Sequence, residues 1–84
     1  MYRLEVLPEI EEQMAALPVD ALVSLAEVRV MLELTPWSGD PLNREHPERN
    51  MRSVLFGPNG EGLLVYLILE DQRRVIPLQM TWLG

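Results

Sequence analysis

The 84-residue chain contains no cysteine and no lysine, and these two absences limit its chemistry. Without cysteine, neither a disulfide nor a thiolate can stabilise the fold or hold a metal. All seven basic residues are arginines, which stay charged and can only bind or stabilise, whereas a lysine can be tuned to lose its proton. His46 is the only histidine. It is therefore the only side chain of a type that titrates near neutral pH.

Long apolar segments and an excess of cations are also missing. No apolar run approaches the roughly 20 residues of a membrane helix, and residues 1–5 lack a cationic start followed by an apolar stretch. We therefore expect a cytoplasmic protein with no membrane contact. Thirteen acidic residues against seven basic ones give a formal net charge of −6, which disfavours a general nucleic-acid surface. With no repeat and no long linker, residues 1–84 are predicted to form one domain.

Residues 51–84 predict an antiparallel β-meander. A glycine-rich break at 57–62 and a polar break at 70–73 separate three apolar segments. The middle segment, 63–69, is apolar at all seven positions, which is typical of a strand buried on both faces. Short polar connections favour antiparallel neighbours. Pro77 cannot donate to the ladder, so the last strand must contain a bulge or form an edge that is open to a partner.

The N-terminal half predicts one strand and two helices. Residues 2–6 alternate apolar and charged side chains, which indicates a strand with one wet face. A short helix is predicted at 8–17 and a longer one at 19–34, so the fold class is α+β with the order β-α-α-β-β-β. A two-helix hairpin should pack on one face of a four-stranded sheet. The longer helix carries more apolar positions than one core-facing stripe needs, and either an additional contact or surface alanine and valine explains the excess.

The element order, the loop PWSGDPL at 36–42 and the segment GEGLLVYLILEDQRRVI at 60–76 resemble the RelE/ParE superfamily of toxins from toxin–antitoxin modules. The resemblance covers nearly the whole chain. It implies a small bacterial toxin that is neutralised by a cognate antitoxin. RelE-like members cleave mRNA in the ribosomal decoding site, whereas ParE-like members inhibit gyrase. Fold alone does not choose between these activities.

RelE-like cleavage uses the 2′-hydroxyl of the RNA as nucleophile, and the family supplies the required groups mostly with lysines, arginines and a late tyrosine or histidine. By resemblance, Arg52 matches a basic position on the second strand. Leu63 stands where many members have an arginine. The family places a C-terminal acid or base beyond the last strand, where this sequence ends at Gly84. The resemblance therefore predicts a degenerate ribosome-dependent endonuclease site.

The candidate catalytic residues are Arg52 and His46, and the candidate RNA- or anion-binding residues are Arg44, Arg49 and Arg52. Planar guanidinium groups suit phosphate, so these arginines can form an anion patch. Internal ion pairs with Glu45 and Glu48 are the competing interpretation, as is a solvated histidine. Two glutamates and one histidine do not make a metal site, and we predict neither metal nor cofactor.

A protein-binding or dimerisation module without catalysis is the alternative function. Two helices can cover only one face of the sheet, yet residues 63–69 are apolar on both. The predicted partner-binding residues are Leu64, Tyr66, Ile68 and Trp82. The partner would be a cognate antitoxin, another protein or a second copy of the chain. The ribosome with its mRNA would be a partner only if RelE-like cleavage survives. The competing interpretation for Tyr66 is a core residue whose hydroxyl has a hydrogen-bond partner inside the protein.

Overall fold

The computed structural model describes residues 1–84 and contains one five-stranded sheet with two helices on one face. The elements are β1 (Arg3–Leu4), α1 (Pro8–Ala15), α2 (Val19–Leu34), β2 (Asp40–Pro41), β3 (Met51–Phe56), β4 (Gly62–Leu69) and β5 (Arg74–Trp82). The spatial order of the strands is β1-β5-β4-β3-β2. The α+β class is confirmed, but the four-stranded sheet is wrong. The additional strand β2 has only two residues, too few to leave a pattern in the sequence.

The predicted meander is present, with β4 paired antiparallel to β3 on one side and to β5 on the other. The prediction that β4 is buried on both faces is wrong. Leu64, Tyr66 and Ile68 are at most 1% exposed because they face the helices, whereas Leu63 on the opposite face is 37% exposed. The helices cover only one face, and no segment of the chain covers the other completely.

Pro77 lies beside a bulge in β5. Val65 pairs with Gln79 and Tyr66 pairs with Pro77, so Leu78 is an additional residue on the β5 side. β5 also pairs in parallel with β1, and that pairing ends at Val75. Both predicted features therefore occur at Pro77: a bulge on the β4 side and, beyond Val75, an edge with no strand neighbour on the other side.

The helices begin where the sequence predicts. Pro8 occupies the first turn of α1, where an amide proton is not needed, and two glutamates there complement the helix dipole. α1 ends at Ala15, two residues before the predicted end, because the amides of Ala16 and Leu17 bond to carbonyls three residues back and tighten the chain. α2 has the predicted bounds. No helix of the fold combines the length and the apolar composition that a membrane span requires.

The core lies between the helices and the inner face of the sheet, and Tyr66 is its largest fully buried side chain. Its hydroxyl donates a 2.6 Å hydrogen bond to the Pro36 carbonyl, and burial raises the pKa of Tyr66 to about 12. The loop before β2 crosses directly over this ring. A Cβ at Gly39 would lie 1.9 Å from the Tyr66 hydroxyl oxygen, so the crossing requires glycine.

Candidate functional site

The segment between β2 and β3, residues 42–50, is here named the arginine loop. Its ends are fixed because the Leu42 amide donates to the Met51 carbonyl at 3.1 Å, and Asn50 exchanges bonds with Ile68 of β4 at 2.9 and 3.0 Å. Two tight turns between these ends are closed by 3.1 Å bonds from the amides of His46 and Arg49. The loop is therefore exposed but anchored to the sheet at both ends.

The arginines of this region differ from the others in having no acidic partner. Four arginines elsewhere lie within 4.0 Å of a carboxylate oxygen: Arg3, Arg29, Arg73 and Arg74. The three without such a partner are Arg44, Arg49 and Arg52. The predicted internal ion pairs to the loop glutamates are not formed, since Glu48 instead lies 3.4 Å from the Nδ1 atom of His46. A chain with a net charge of −6 thus keeps its unpaired cations in one region.

Two of these cations share a pocket. Arg44 and Arg49 line an open pocket of about 650 Å³, and both residues are exposed. The other lining residues are Leu42, Asn43, Glu45, Asn50 and Met51. Two guanidinium groups, two amide side chains and apolar walls suit a group that is anionic at one end and flat or apolar at the other. Glu45 opposes part of this positive charge.

Arg52 does not line that pocket, so the three arginines that were predicted as an anion patch do not all face the same space. The residue is only 9% exposed, and its guanidinium donates to the backbone carbonyls of Trp37, Gly39 and Pro47. The guanidinium carbon also lies 4.9 Å from the centre of the Trp37 ring. The two terminal NH₂ groups of the guanidinium, which would have to bind a phosphate, already donate to backbone carbonyls. Arg52 therefore joins β3 to the loop before it instead of facing a ligand. Its Nε–H is buried without a partner.

His46 is exposed at the tip of the arginine loop and does not line the pocket of Arg44 and Arg49. Its neighbour within 4 Å is a carboxylate of Glu48. The structure therefore separates the two predicted catalytic residues by environment, one solvated and one enclosed by backbone. Nothing in this arrangement places His46 and Arg52 on the same substrate atom.

The predicted partner-binding residues Leu64, Tyr66 and Ile68 lie in the core, so that prediction is wrong. Trp82 is half-buried and stacks on Phe56 with 5.9 Å between ring centres. Open apolar surface lies instead on the other side of the sheet, here named the outer sheet face. Its apolar residues are Met51, Leu55, Leu63, Val65, Leu67, Leu69, Ile76 and Leu78. In an unbroken apolar run, the sequence does not indicate whether the odd-numbered or the even-numbered residues face the helices. This explains why the partner-binding residues were predicted on the wrong face of the strand.

A second cluster, which the sequence did not reveal, centres on Glu70. One carboxylate oxygen accepts bonds from the Tyr2 hydroxyl at 2.5 Å and from the Trp37 indole at 2.6 Å. The other oxygen lies 3.5 Å from Arg73. The bonds from Tyr2 and Trp37 lower the pKa of Glu70, and the bond to Glu70 raises the pKa of Tyr2. The donors are 68 and 33 residues away in sequence, so no local spacing could indicate them.

Comparison with solved structures identifies a fold neighbour. A chain of the archaeal RelE–RelB complex from Pyrococcus horikoshii OT3 matches with a TM-score of 0.69 and 15% identity, covering 99% of this chain and 96% of that chain. This chain has the RelE-like fold. No protein-family model matches the sequence, and no curated protein matches it. The neighbour is archaeal, so a bacterial source stays a prediction.

The RelE-like fold gives a context for Leu63. The resemblance places an arginine at this position in many members, and here the leucine lies on the outer sheet face with 37% of its surface exposed. It lines a second open pocket together with Arg44 and Leu55. The surface next to the arginine loop is therefore apolar where a further phosphate-binding cation was expected.

Proposed function

We propose that the chain is the toxin, or a toxin-derived component, of a toxin–antitoxin module that acts in the cytoplasm and has a degenerate ribosome-dependent endonuclease site. The observation that carries the proposal is the RelE-like fold, which extends over 99% of the chain. The fold neighbour was crystallised as a RelE–RelB complex, which supports a cognate antitoxin as the partner here.

The chemistry of the site supports binding more than cleavage. Cleavage through the 2′-hydroxyl requires a proton acceptor, a cation on the phosphate and a proton donor for the leaving oxygen. His46, the only side chain of a type that titrates near neutral pH, lies outside the pocket that Arg44 and Arg49 line, and Glu45 is the only carboxylate side chain in that pocket. Arg52 is enclosed by carbonyls. We therefore assign Arg44 and Arg49 to binding an anionic group such as a phosphate.

Co-expression tests the proposal. The chain should slow growth when expressed alone, and the small reading frame beside its gene should relieve this effect and yield a protein that co-purifies with the chain. Unchanged growth in both cases, with no complex, would contradict the assignment to a toxin–antitoxin module. Restored growth without a complex would contradict direct neutralisation by binding.

A translation-coupled cleavage assay tests the endonuclease site separately. Wild type and Arg52→Ala should both be inactive or nearly so if the site is degenerate. Robust cleavage by wild type that is lost in His46→Ala but kept in Glu48→Ala would contradict degeneracy and restore His46 as a catalytic residue.

A protein-binding module without catalysis is the second candidate function, and the outer sheet face favours it. Eight apolar side chains lie on a surface that no helix covers, and Leu55, Leu63 and Leu78 are 61%, 37% and 40% exposed. Light scattering at micromolar concentration tests whether a second copy covers this face. A dimer that Leu55→Glu converts to a monomer would support self-association, whereas a monomeric wild type would exclude it.

A further inference from the structure

Helix α2 turns a line of apolar residues directly away from the core. The α2 outer stripe consists of Val19, Val23, Ala26, Val30 and Leu34, which are spaced by three or four residues. At 3.6 residues per turn this spacing places them on one face. The four valine and leucine side chains are 77%, 61%, 56% and 56% exposed in chain order.

The opposite face of α2 already supplies the core. Its buried residues are Ala21, Leu25, Val28 and Leu32. Helix α1 lies to one side, since Arg29 reaches Glu11 at 3.6 Å and the Met14 sulfur at 3.7 Å. Neither the sheet nor α1 therefore covers the stripe. Single exposed valines are ordinary, but five aligned small or branched residues over about 22 Å form a continuous seam.

One border of the stripe is acidic, because Asp20 and Glu27 follow that edge. The other edge is mixed: it carries Leu22, Glu33 and Arg29, and Arg29 is paired with Glu11. Asp20, Glu27 and Glu33 all lie more than 4.0 Å from any basic group. Asp20 accepts one bond, from the Ala21 amide at 2.9 Å. An apolar seam with one acidic border is electrostatically complementary to a helix that has cations on the side of its apolar face that meets Asp20 and Glu27.

The acidic border also disfavours a second copy of this chain. An antiparallel pair of α2 helices that cross at Ala26 would bring Glu27 of each copy against Glu27 of the other. Like charges at an interface raise the free energy of the complex instead of stabilising it. The net charge of −6 on each copy adds long-range repulsion.

We propose that the α2 outer stripe binds an amphipathic helix of a protein partner that carries lysines or arginines beside its apolar seam, where they meet Asp20 and Glu27. Valine side chains have few rotamers to lose, so they form a rigid seam at a small entropic cost. Helix docking by aligned apolar anchors is an established mode of peptide recognition. The surface is separate from the arginine loop and the outer sheet face, so the inference does not depend on the proposed function.

Titration calorimetry with two designed peptides tests the inference on the full chain. Both are helical, about 20 residues long to match α2, and share one leucine and alanine seam. One carries lysine and arginine beside the seam, and the other carries glutamate there. The cationic peptide should bind at least about tenfold more tightly, and added salt should weaken it.

Matched variants locate the binding surface. The double variant Val23→Glu/Val30→Glu should reduce affinity for the cationic peptide about tenfold or more, because it places charge in the seam. Glu27→Lys/Glu33→Lys should reverse the preference between the peptides. Leu83→Glu, an exposed apolar site near the C-terminus that belongs to none of the proposed binding surfaces, should leave both peptide affinities unchanged. All substituted side chains are at least partly solvent-facing, and circular dichroism confirms folding.

Four results would overturn the inference: no binding of the cationic peptide by wild type, equal affinity for both peptides, unchanged affinity in Val23→Glu/Val30→Glu, or a wild-type dimer that this variant dissolves. The last result would assign the stripe to a second copy. Growth and cleavage assays of the same variant report on the toxin proposal alone, so failure of one proposal is distinguishable from failure of the other.

Discussion

At the scale of single residues, the environment of each arginine decides what it can do. The seven arginines are chemically identical, yet four are paired with carboxylates, two are exposed without a partner and one is enclosed by carbonyls. A buried cation without a counter-ion is unfavourable unless its donors are satisfied. Arg52 meets most of this requirement with backbone oxygen atoms, which makes it a structural residue.

Replacing Arg52 by glutamine should therefore destabilise the protein. The change leaves buried carbonyls of the loop before β3 without donors, which costs about 1–3 kcal/mol. Urea denaturation measures the loss. Arg49→Gln, at an exposed site with no ion pair, is the control and should stay within about 0.5 kcal/mol of wild type. Equal, small effects of both changes would show that Arg52 does not hold the loop.

At the scale of elements, β4 shows how one strand separates into two environments. Residues 63–69 of this strand are all apolar, but they point alternately toward the helices and toward the solvent-exposed outer sheet face. The burial of β4 is thus set by what packs on each face and not by its own composition. On that face α1 packs against β5, α2 packs against β1 and β3, and the inner residues of β4 lie in the same core.

Two truncations in β4 test this asymmetry. Leu64→Ala should reduce the free energy of unfolding by about 2–5 kcal/mol, because it leaves a cavity in a fully buried site. Leu63→Ala removes the same atoms from a site that is 37% exposed and should cost clearly less. Denaturant unfolding of both variants gives the comparison. A larger loss for Leu63→Ala would mean that the strand faces the helices with the other parity.

The Glu70 cluster links three connecting segments, namely the residues before β1, the loop between α2 and β2, and the turn between β4 and β5, and it predicts sensitivity to acid. The bonds from Tyr2 and Trp37 hold the pKa of Glu70 below its ordinary value of 4.5, so the folded state favours the carboxylate. This contribution to stability is complete above pH 4.5 and is lost as the pH falls through the lowered pKa. Glu70→Gln should therefore show a shallower loss of stability below pH 4.5 than wild type.

Thermal melts between pH 3 and pH 7 measure this difference. Glu12→Gln changes an exposed glutamate of α1 and serves as the control with wild-type acid sensitivity. Tyr2, whose pKa is raised, loses its contribution only at pH above 10, outside this range. Identical acid profiles for Glu70→Gln and wild type would show that the cluster does not contribute to acid stability.

At the scale of the whole molecule, charge is distributed unevenly over three surfaces. The arginine loop carries exposed unpaired cations, the outer sheet face is mostly apolar, and α2 presents an apolar stripe with one acidic border. Net charge alone indicated only that a general nucleic-acid surface is disfavoured. The local distribution still permits a small anion site within an acidic protein.

Removing both exposed cations tests that site. Arg44→Gln/Arg49→Gln should abolish weak, salt-dependent binding of a short single-stranded RNA, measured by fluorescence anisotropy. The control variant Arg3→Gln/Arg29→Gln has the same net charge as Arg44→Gln/Arg49→Gln, −8 instead of the wild-type −6. It removes arginines that are paired with glutamates. It should keep most of the binding. An equal loss in both variants would attribute the effect to net charge.

Much of the fold was predictable because its signals are local. Proline positions, helical periodicity and glycine-rich turns identified both helices, the meander and the bulge at Pro77 from neighbouring residues alone. The two-residue strand β2 was missed, since a strand this short has no period. Of the candidate site, the arginines at 44 and 49 were identified by residue type and share a pocket in the fold.

The sequence by itself determined the two helices and the meander, the absence of thiol and lysine chemistry and the concentration of arginines between residues 44 and 52. Only the tertiary structure decided which of these arginines are free, which parity of β4 is buried and which acids bond to Tyr2 and Trp37. The reason is physical. Propensity and periodicity act between neighbours in the chain, whereas burial, ion pairing and hydrogen bonding depend on distances between residues that folding brings together.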